Sequence, residues 1–441
     1  MGRAGSTYSV TDQKQSGLVR AIGRWSLTAL VLNSIIGSGI FGLPSVVAGL
    51  VGQASVFAYL VAAAGVGVIM ACFAEVGSRF SEAGGPYLYA REAFGRLAGI
   101  QIAWLAWLVR LTGAAANANL FVLYLAEFWA PATERLPRLV VLTLLVGLLA
   151  VINYRGVSAG AQLSNVFAAA KILSLGVFVA VGIFFLRASP AAAPSAATSG
   201  AWLDAVLVLV FAFGGFEAAL IPMGEVKDPR RDVPFSLFTA LIVTTLLYTL
   251  IQVVVMGVLA APERTDRPLA AAASAFLGQP GAVLMTLGAL ISVYGYLSGM
   301  MLNTPRLTYA LAEREDFPPF LAAVHPRFRT PHVSIVLFGL LVWGLAVVGT
   351  FRWNLTLSAV ARLFTYAATC AAVLALRKKR PSEATFRLPA GPVFAGLGVA
   401  FTLVVVTRMG RAELLIIAAT AAIALVNWLW TRRPRGESAP R

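Results

Sequence analysis

Asn33-Ser34-Ile35-Ile36-Gly37-Ser38-Gly39-Ile40-Phe41-Gly42 and Phe211-Ala212-Phe213-Gly214-Gly215-Phe216-Glu217 decide the reading of this chain. Each is an apolar run interrupted by glycine in mid-course. Each also sits inside a segment long enough to cross a bilayer. Small residues alone mark close packing of membrane helices. Two glycine-broken helices at corresponding places in two halves instead point to a transport site near the midplane.

Around these stretches the 441 residues are 59% hydrophobic and 12% charged, with mean hydropathy +0.81. A soluble domain carries roughly a quarter charged residues. A soluble fold this apolar would expose large sticky patches, which lipid instead solvates. A membrane helix needs about 20 mostly apolar residues. Twelve segments qualify, near 27–51, 54–73, 98–128, 136–152, 161–186, 201–223, 234–259, 282–312, 333–348, 355–376, 392–407 and 413–430. The fourth and ninth are short and the eleventh is marginal. The pattern disfavours a β-barrel, because its strands alternate and run only about ten residues.

The expected fold is therefore all-α and integral to the membrane, with about twelve spans. The two breaks lie in the first and sixth spans, each opening a set of five. Five is odd, so the second set inserts upside down. This gives a 5+5 inverted repeat, about 27–186 and 201–376, with peripheral helices over 392–430. A polar arm (1–26) precedes it and a tail (431–441) follows. The arm has no cleavable leader pattern, so the first span acts as its own insertion signal.

The formal net charge of +16 would suit a nucleic-acid binder, but the location of the charge says otherwise. With the N-terminus inside, 24 of the 35 Lys and Arg fall on the inner side. That is the positive-inside bias, and it places both termini in the cytoplasm. Arg408 and Arg411 fit it poorly. The expected partners are thus membrane lipid and a small solute, with no nucleic acid. Cys72 and Cys370 both lie in apolar spans, and the two histidines, His325 and His332, share one inner loop. No disulfide framework, metal site or cofactor is expected, and histidine- or metal-dependent membrane enzymes find no support.

An unwound membrane helix leaves backbone N–H and C=O groups that must be satisfied within the protein or by a solute. N–H groups that open a half-helix favour a carboxylate. Carbonyls that close one favour an ammonium. One carboxylate and one ammonium, held by two crossed breaks, describe an α-amino acid. On this reading Gly37, Ser38 and Gly39 take the carboxylate, with Ile36 and Ile40 beside them in the substrate site. Carbonyls of Phe211, Ala212 and Phe213, next to Gly214 and Gly215, take the ammonium. Phe211, Phe213 and Phe216 either cover the side chain or simply pack.

At these residues the chain resembles the amino acid–polyamine–organocation (APC) superfamily. Ile36-Gly37-Ser38-Gly39-Ile40-Phe41 is similar to its first-helix signature. Glu82-Ala83-Gly84-Gly85-Pro86-Tyr87 with Ala93-Phe94-Gly95 is similar to an inner-loop pattern. Phe213-Gly214-Gly215-Phe216-Glu217, Glu225-Val226-Lys227-Asp228-Pro229, Pro305-Arg306-Leu307 and the Arg377-Lys378-Lys379-Arg380 run follow in the family's order. The resemblance covers about residues 20–430. It implies a LeuT-type fold and alternating access around a central amino acid site.

It also gives meaning to the charges inside the spans. Lys171 lies about ten residues into the fifth span, roughly 15 Å at helical rise. Intramembrane ionisable groups are functional by default, with snorkelling to the interface as the alternative. In sodium-independent members a lysine here replaces a bound sodium ion, and Lys171 matches it. The resemblance implies that its ammonium bridges carbonyls near Ile35 and Gly37 to Ser298. Glu217 matches an acidic residue used as a proton sensor in some exchangers; otherwise it is a static partner for a cation. Arg110 and Arg362 are further buried cations, placed to line the pathway, pair with Glu217 or snorkel. Three deep cations against one acid disfavour a dicationic solute. The inner charges Glu75, Arg79, Glu82, Lys227 and Arg306 are either solvated surface or an inner gate.

The expected function is secondary active transport of amino acids across a bacterial-type inner membrane, independent of sodium. Proton symport and amino acid exchange both stay open. So do a polyamine or organic amine carrier, a non-transporting sensor on the same fold, and every oligomeric state.

Overall fold

The computed structural model describes residues 22–80, 84–156, 160–186, 197–221, 223–379 and 386–431. It is all-helical. Among the described residues the only extended pairing is one isolated bridge, Ile22 to Val226. The helices in chain order are α1 (Arg24–Ile35), α2 (Gly39–Val51), α3 (Ser55–Ser78), α4 (Gly85–Phe94), α5 (Arg96–Leu125), α6 (Arg135–Tyr154), α7 (Gly160–Gly182) and α8 (Ser199–Phe213). They continue with α9 (Phe216–Ala219), α10 (Pro229–Val258), α11 (Pro268–Glu313), α12 (His332–Val348), α13 (Phe351–Lys379), α14 (Gly391–Val406) and α15 (Arg411–Thr431).

Each of the twelve apolar segments coincides with a helix or with a broken pair of helices. Eight stretches are long and apolar enough to cross a membrane outright, and shorter apolar helices lie at Lys171–Phe185, His332–Val348 and Gly391–Val406. The first span is α1 and α2 in series. The sixth is α8 and the single turn of α9, which stops at Ala219 short of the expected 223. The eighth differs most. Helix α11 starts at Pro268 and bends sharply at Gly278, whose φ of 64° and ψ of −157° are not helical. Residues 268–277 therefore form a separate stretch ahead of the span proper. Helix α4 lies between spans and was not among the expected segments. Pro86 opens it and Gly95, at φ 94°, closes it.

Packing repeats between the two sets of five. Helix α5 packs on α13 as α11 packs on α7. Helix α8 packs on α3 as α1 packs on α10. Helices α3 and α10 pack on each other, and so do α6 and α12. Each of these pairings thus recurs when the two sets of five are exchanged, as a structural repeat requires. Helices α14 and α15 add to the outside, against α3 and α13 and against α5. Helices α1 and α10 begin at one face of the bundle, where α3, α13 and α15 end; we call this the near face and its opposite the far face.

Both faces are tied by ion pairs. At the near face Glu75, fully buried, takes Arg79 at 3.0 Å, Arg377 at 2.6 Å and the Leu388 N–H at 3.0 Å. Also there, Asp316 takes Arg91 at 2.7 Å, Arg96 at 2.9 Å and the Tyr87 hydroxyl. Burial, and then this hydrogen bond, raises the Tyr87 phenol above its ordinary pKa. At the far face Arg138 donates to carbonyls of Ala346 and Gly349, and Arg267 pairs with Glu127.

Candidate functional site

The first break spans residues 36–38. The last backbone bond of α1 runs from the Ile36 N–H to the Leu32 carbonyl. The carbonyls that follow have no helical partner, as at any helix C-terminus. Lys171 meets them. Its Nζ donates to Asn33 O at 3.0 Å and Ile36 O at 2.6 Å, and the side chain is buried. The ammonium sits at the negative end of the α1 dipole, where a cation is favoured. The Ile35 carbonyl is served separately by the Tyr248 hydroxyl at 3.3 Å.

The expected bridge therefore takes a different form. Lys171 binds Asn33 and Ile36 rather than carbonyls at Ile35 and Gly37, because the orphan carbonyls begin at Asn33. Nor does it reach Ser298 through any bond among the described residues. The wall that α11 turns toward the break reads Ser292, Gly295, Tyr296, Gly299, Met300 and Asn303. Ser298 is out of phase with that three-and-four spacing. Ser292 holds the facing position, and its buried hydroxyl has no partner.

On the other side of the break, Ser38 precedes α2 and its Oγ is buried without a partner. The first N–H groups of α2 have none in their own helix. Gly37 lies under the Tyr296 ring, 3.6 Å from where a Cβ would be. Gly39 packs against Ala212, whose Cα would lie 2.9 Å from a Cβ, so here the two broken helices touch. Ile36, Ser38 and Ile40 are buried. The wall of the cavity is instead supplied by Asn33, Ser34 and Gly215.

The second break is Gly214-Gly215. Gly215 has φ 108°, and a Cβ there would come within 2.2 Å of the Ser34 carbonyl oxygen. Only glycine fits both the backbone and the contact. Gly214 makes room for a guanidinium, since its Cβ would fall 1.6 Å from Arg362 Nη1. Arg362 pairs with Glu217 at 3.1 Å, donates to Phe211 O at 3.3 Å and lies over the Phe211 ring. Glu217 also accepts from Tyr366 Oη at 3.0 Å and from the Gly215 N–H at 2.9 Å. The Ala212 carbonyl has the Tyr248 hydroxyl at 3.4 Å.

This changes the expected role of the second break. The carbonyls of Phe211 and Ala212, assigned to a solute ammonium, already face protein donors. A guanidinium fills that seat, because Gly214 opens it and Glu217 neutralises it. Of the two roles open to the aromatics, Phe213 and Phe216 take packing. Phe213 and Phe216 are fully buried; Phe216 packs on Phe73 and Tyr366, and Phe213 on Tyr248. Of the two free arginines, Arg362 takes Glu217 and Arg110 does not.

A cavity of about 540 Å³ leads from the breaks to the near face. Arg110, Lys171, Gly215 and Ser292 line it deep inside, and Tyr87, Arg306 and Arg314 line it where α4 and the end of α11 meet. A second cavity of about 580 Å³ lies toward the far face, among Ser45, Asn119, Arg138, Glu263, Asp266 and Arg352. The two share no wall residue. Between them lie the Gly39–Ala212 contact and buried Phe41, whose carbonyl accepts from Tyr124 at 2.8 Å. The volumes are those of small-molecule sites. Of the inner charges, Glu75 and Arg79 join the network with Arg377, and Arg306 donates to the Leu302 carbonyl of its own helix. Lys227 carries a backbone bond to Ile22, and Glu82 lies outside the described residues.

Sequence reasoning passed over Tyr248, Tyr296, Tyr366 and Ser292. Each stands alone in an ordinary apolar helix, and no local pattern singles it out. Asn33 was within the quoted stretch and is a lysine partner through its carbonyl, which no side-chain pattern reports.

Comparison with known proteins agrees with this architecture. The amino acid permease family model matches residues 22–426. The methylthioribose transporter of Bacillus subtilis (strain 168) is 28% identical over 406 residues, covering 87% of each chain. The serine/threonine exchanger SteT of the same organism is 26% identical over 341 residues, covering 73% of this chain and 75% of the relative. Its branched-chain amino acid permease BcaP is 24% identical over 452 residues, covering 95% and 94%. These relatives are transporters rather than enzymes. The chain belongs to the amino acid permease family of the APC superfamily, and it is a multi-pass membrane transporter.

Proposed function

We propose that the chain is a secondary active carrier of amino acids that works by alternating access and needs no sodium. The observation that carries this reading is the seat of Lys171. Its ammonium occupies the carbonyl end of α1 at 2.6 and 3.0 Å. A fixed cation there does the work of a bound ion, holding the unwound segment to α7. The two unconnected cavities, one toward each face, support alternation about the breaks. The solute class rests on the relatives named for serine/threonine exchange and for branched-chain amino acids.

In this reading the near face is cytoplasmic, with both termini, and the membrane is of bacterial inner-membrane type. The repeats run from about 27 to 186 and from about 201 to 376, with peripheral helices over 392–430. Coupling is to protons or to a counter-transported amino acid. The Gly37–Ile40 N–H groups receive the solute carboxylate once Tyr296 swings from over Gly37. The cavity-lining cations disfavour a polyamine.

Uptake of labelled amino acids into proteoliposomes tests this, with sodium replaced by choline. Saturable uptake that survives replacement is expected. Strict dependence on sodium sinks the role given to Lys171. Uptake of methylthioribose and of no amino acid sinks the solute class, and binding without flux marks a sensor.

A further inference from the structure

The near-face cavity has a one-sided charge. Four cations line it: Arg110 from α5, Lys171 from α7, and Arg306 and Arg314 from α11. No Asp or Glu is on its wall among the described residues. Three of the four are accounted for. Lys171 is spent on the α1 carbonyls, Arg306 donates to its own helix, and Arg314 is exposed at the mouth.

Arg110 is different. It lies in mid-span on α5, partly buried, and makes no hydrogen bond or ion pair with any described residue. Among the described residues the carboxylate that acts on it is Glu217, with Arg362 beside it. Glu217 already holds Arg362, the Tyr366 hydroxyl and the Gly215 N–H. A guanidinium deep in a membrane protein without a partner is costly. Its planar fork is matched by a carboxylate, which it binds through two parallel hydrogen bonds. Most of the carbonyls that would seat a positive group at the breaks meanwhile have donors from the protein. Carbonyls at both half-helix ends face Lys171, Arg362 and Tyr248.

We infer that the carried solute is an acidic amino acid, and that Arg110 pairs with its side-chain carboxylate. The α-carboxylate goes to the N–H groups of the first break, three residues along α5 from Arg110 at the level of Gly113, where the Tyr296 hydroxyl sits. A dicarboxylate cancels the charge that the wall leaves open, whereas a neutral amino acid leaves Arg110 bare and a basic one adds to the excess. The inference rests on the reading that the chain carries amino acids.

The test uses the full-length protein in proteoliposomes, with labelled L-glutamate, L-aspartate, L-serine, L-leucine and L-lysine as probes. Glutamate or aspartate is expected to be taken up with a KM at least tenfold below that of the neutral probes, and lysine not at all. Arg110→Gln is expected to raise the KM for the acidic probes at least tenfold and that for the neutral probes much less, so that the acidic preference is lost. Arg110→Lys is expected to restore part of the acidic preference. Uptake of serine, leucine or lysine that neither acidic probe inhibits overturns the inference and leaves amino acid transport standing. An acidic preference unchanged in Arg110→Gln overturns the role of Arg110. Uptake of none of the five removes the underlying reading along with it. Where Arg110→Gln is not recovered folded, inhibition of the wild-type protein decides.

Discussion

At the first break the orphan carbonyls of α1 are met by a lysine and a tyrosine hydroxyl; at the second, those of α8 are met by the same hydroxyl and by an arginine that carries its own counter-charge. The two cations occupy matching places, since Lys171 is on the fifth span of the first set and Arg362 on the fifth span of the second. Their surroundings differ. Arg362 is matched by Glu217 and wedged into the space left by Gly214. Among the described residues Lys171 has only neutral carbonyl oxygens, and the Ser292 hydroxyl on the same cavity has no partner. The second break is therefore neutral and sterically locked. The first holds an uncompensated charge against a cavity, which is the arrangement expected where a solute or proton alters the balance.

The largest effect expected is from the lock. Gly215→Ala must place a Cβ 2.2 Å from a backbone oxygen at a φ of 108°, and neither can yield cheaply. No monodisperse protein should be recovered by size-exclusion chromatography. Gly214→Ala meets a side-chain nitrogen instead, so it should fold with Arg362 displaced and with a lowered melting temperature. If Gly215→Ala is as stable as wild type, the two breaks are not held in the crossed contact described.

Next in size is the first break. Lys171→Ala removes the only donor among the described residues to two carbonyls, each costing about 1–3 kcal/mol when left unmade. Uptake should fall to background while the protein stays folded, because the rest of the bundle is untouched. Unchanged uptake would reduce Lys171 to a packing residue and erase the contrast between the breaks. Glu217→Gln tests the second break in the same way. Breaking one partner of a buried pair costs about 3–5 kcal/mol, whereas replacing both with apolar groups is often near neutral. The single variant should melt well below wild type, and Glu217→Gln with Arg362→Met should recover most of the loss. A double variant no better than the single would show that Glu217 acts through Tyr366 and Gly215 rather than through Arg362.

What could be read from the residues and what could not divides along the same line. The spans, the breaks and the depth of Lys171 follow from hydropathy and glycine placement, which are local. Which carbonyl Lys171 reaches depends on where the last helical bond of α1 closes, and Ser298 was displaced by Ser292 because helical phase on α11 is set by packing. The pairing of Arg362 with Glu217 joins residues 145 positions apart in sequence, as their numbers show, and rests on the empty Cβ position of Gly214. The residues left it as one of three alternatives open to either arginine, because no single run encodes the contact. The two stretches missed outright, α4 and residues 268–277, are too short to register as spans, although Pro86, Gly95, Pro268 and Gly278 mark their ends.

The smallest effect expected is at a hydroxyl that lies within hydrogen-bond reach of both breaks. The Tyr248 hydroxyl lies 3.3 Å from Ile35 O and 3.4 Å from Ala212 O, the final turns of α1 and α8. One proton shared over two long contacts is weak, and a typical intramolecular hydrogen bond contributes about 0.5–1.5 kcal/mol. Tyr248→Phe keeps the ring, which packs on Tyr59 and Phe213, so its melting temperature should fall only slightly. Its effect on transport should be the more informative readout. If the breaks move relative to each other during the cycle, loss of the shared hydroxyl loosens that coupling and changes the maximal rate more than the apparent affinity. A variant with unchanged rate and a raised KM would instead assign Tyr248 to holding the solute-ready shape of the first break alone.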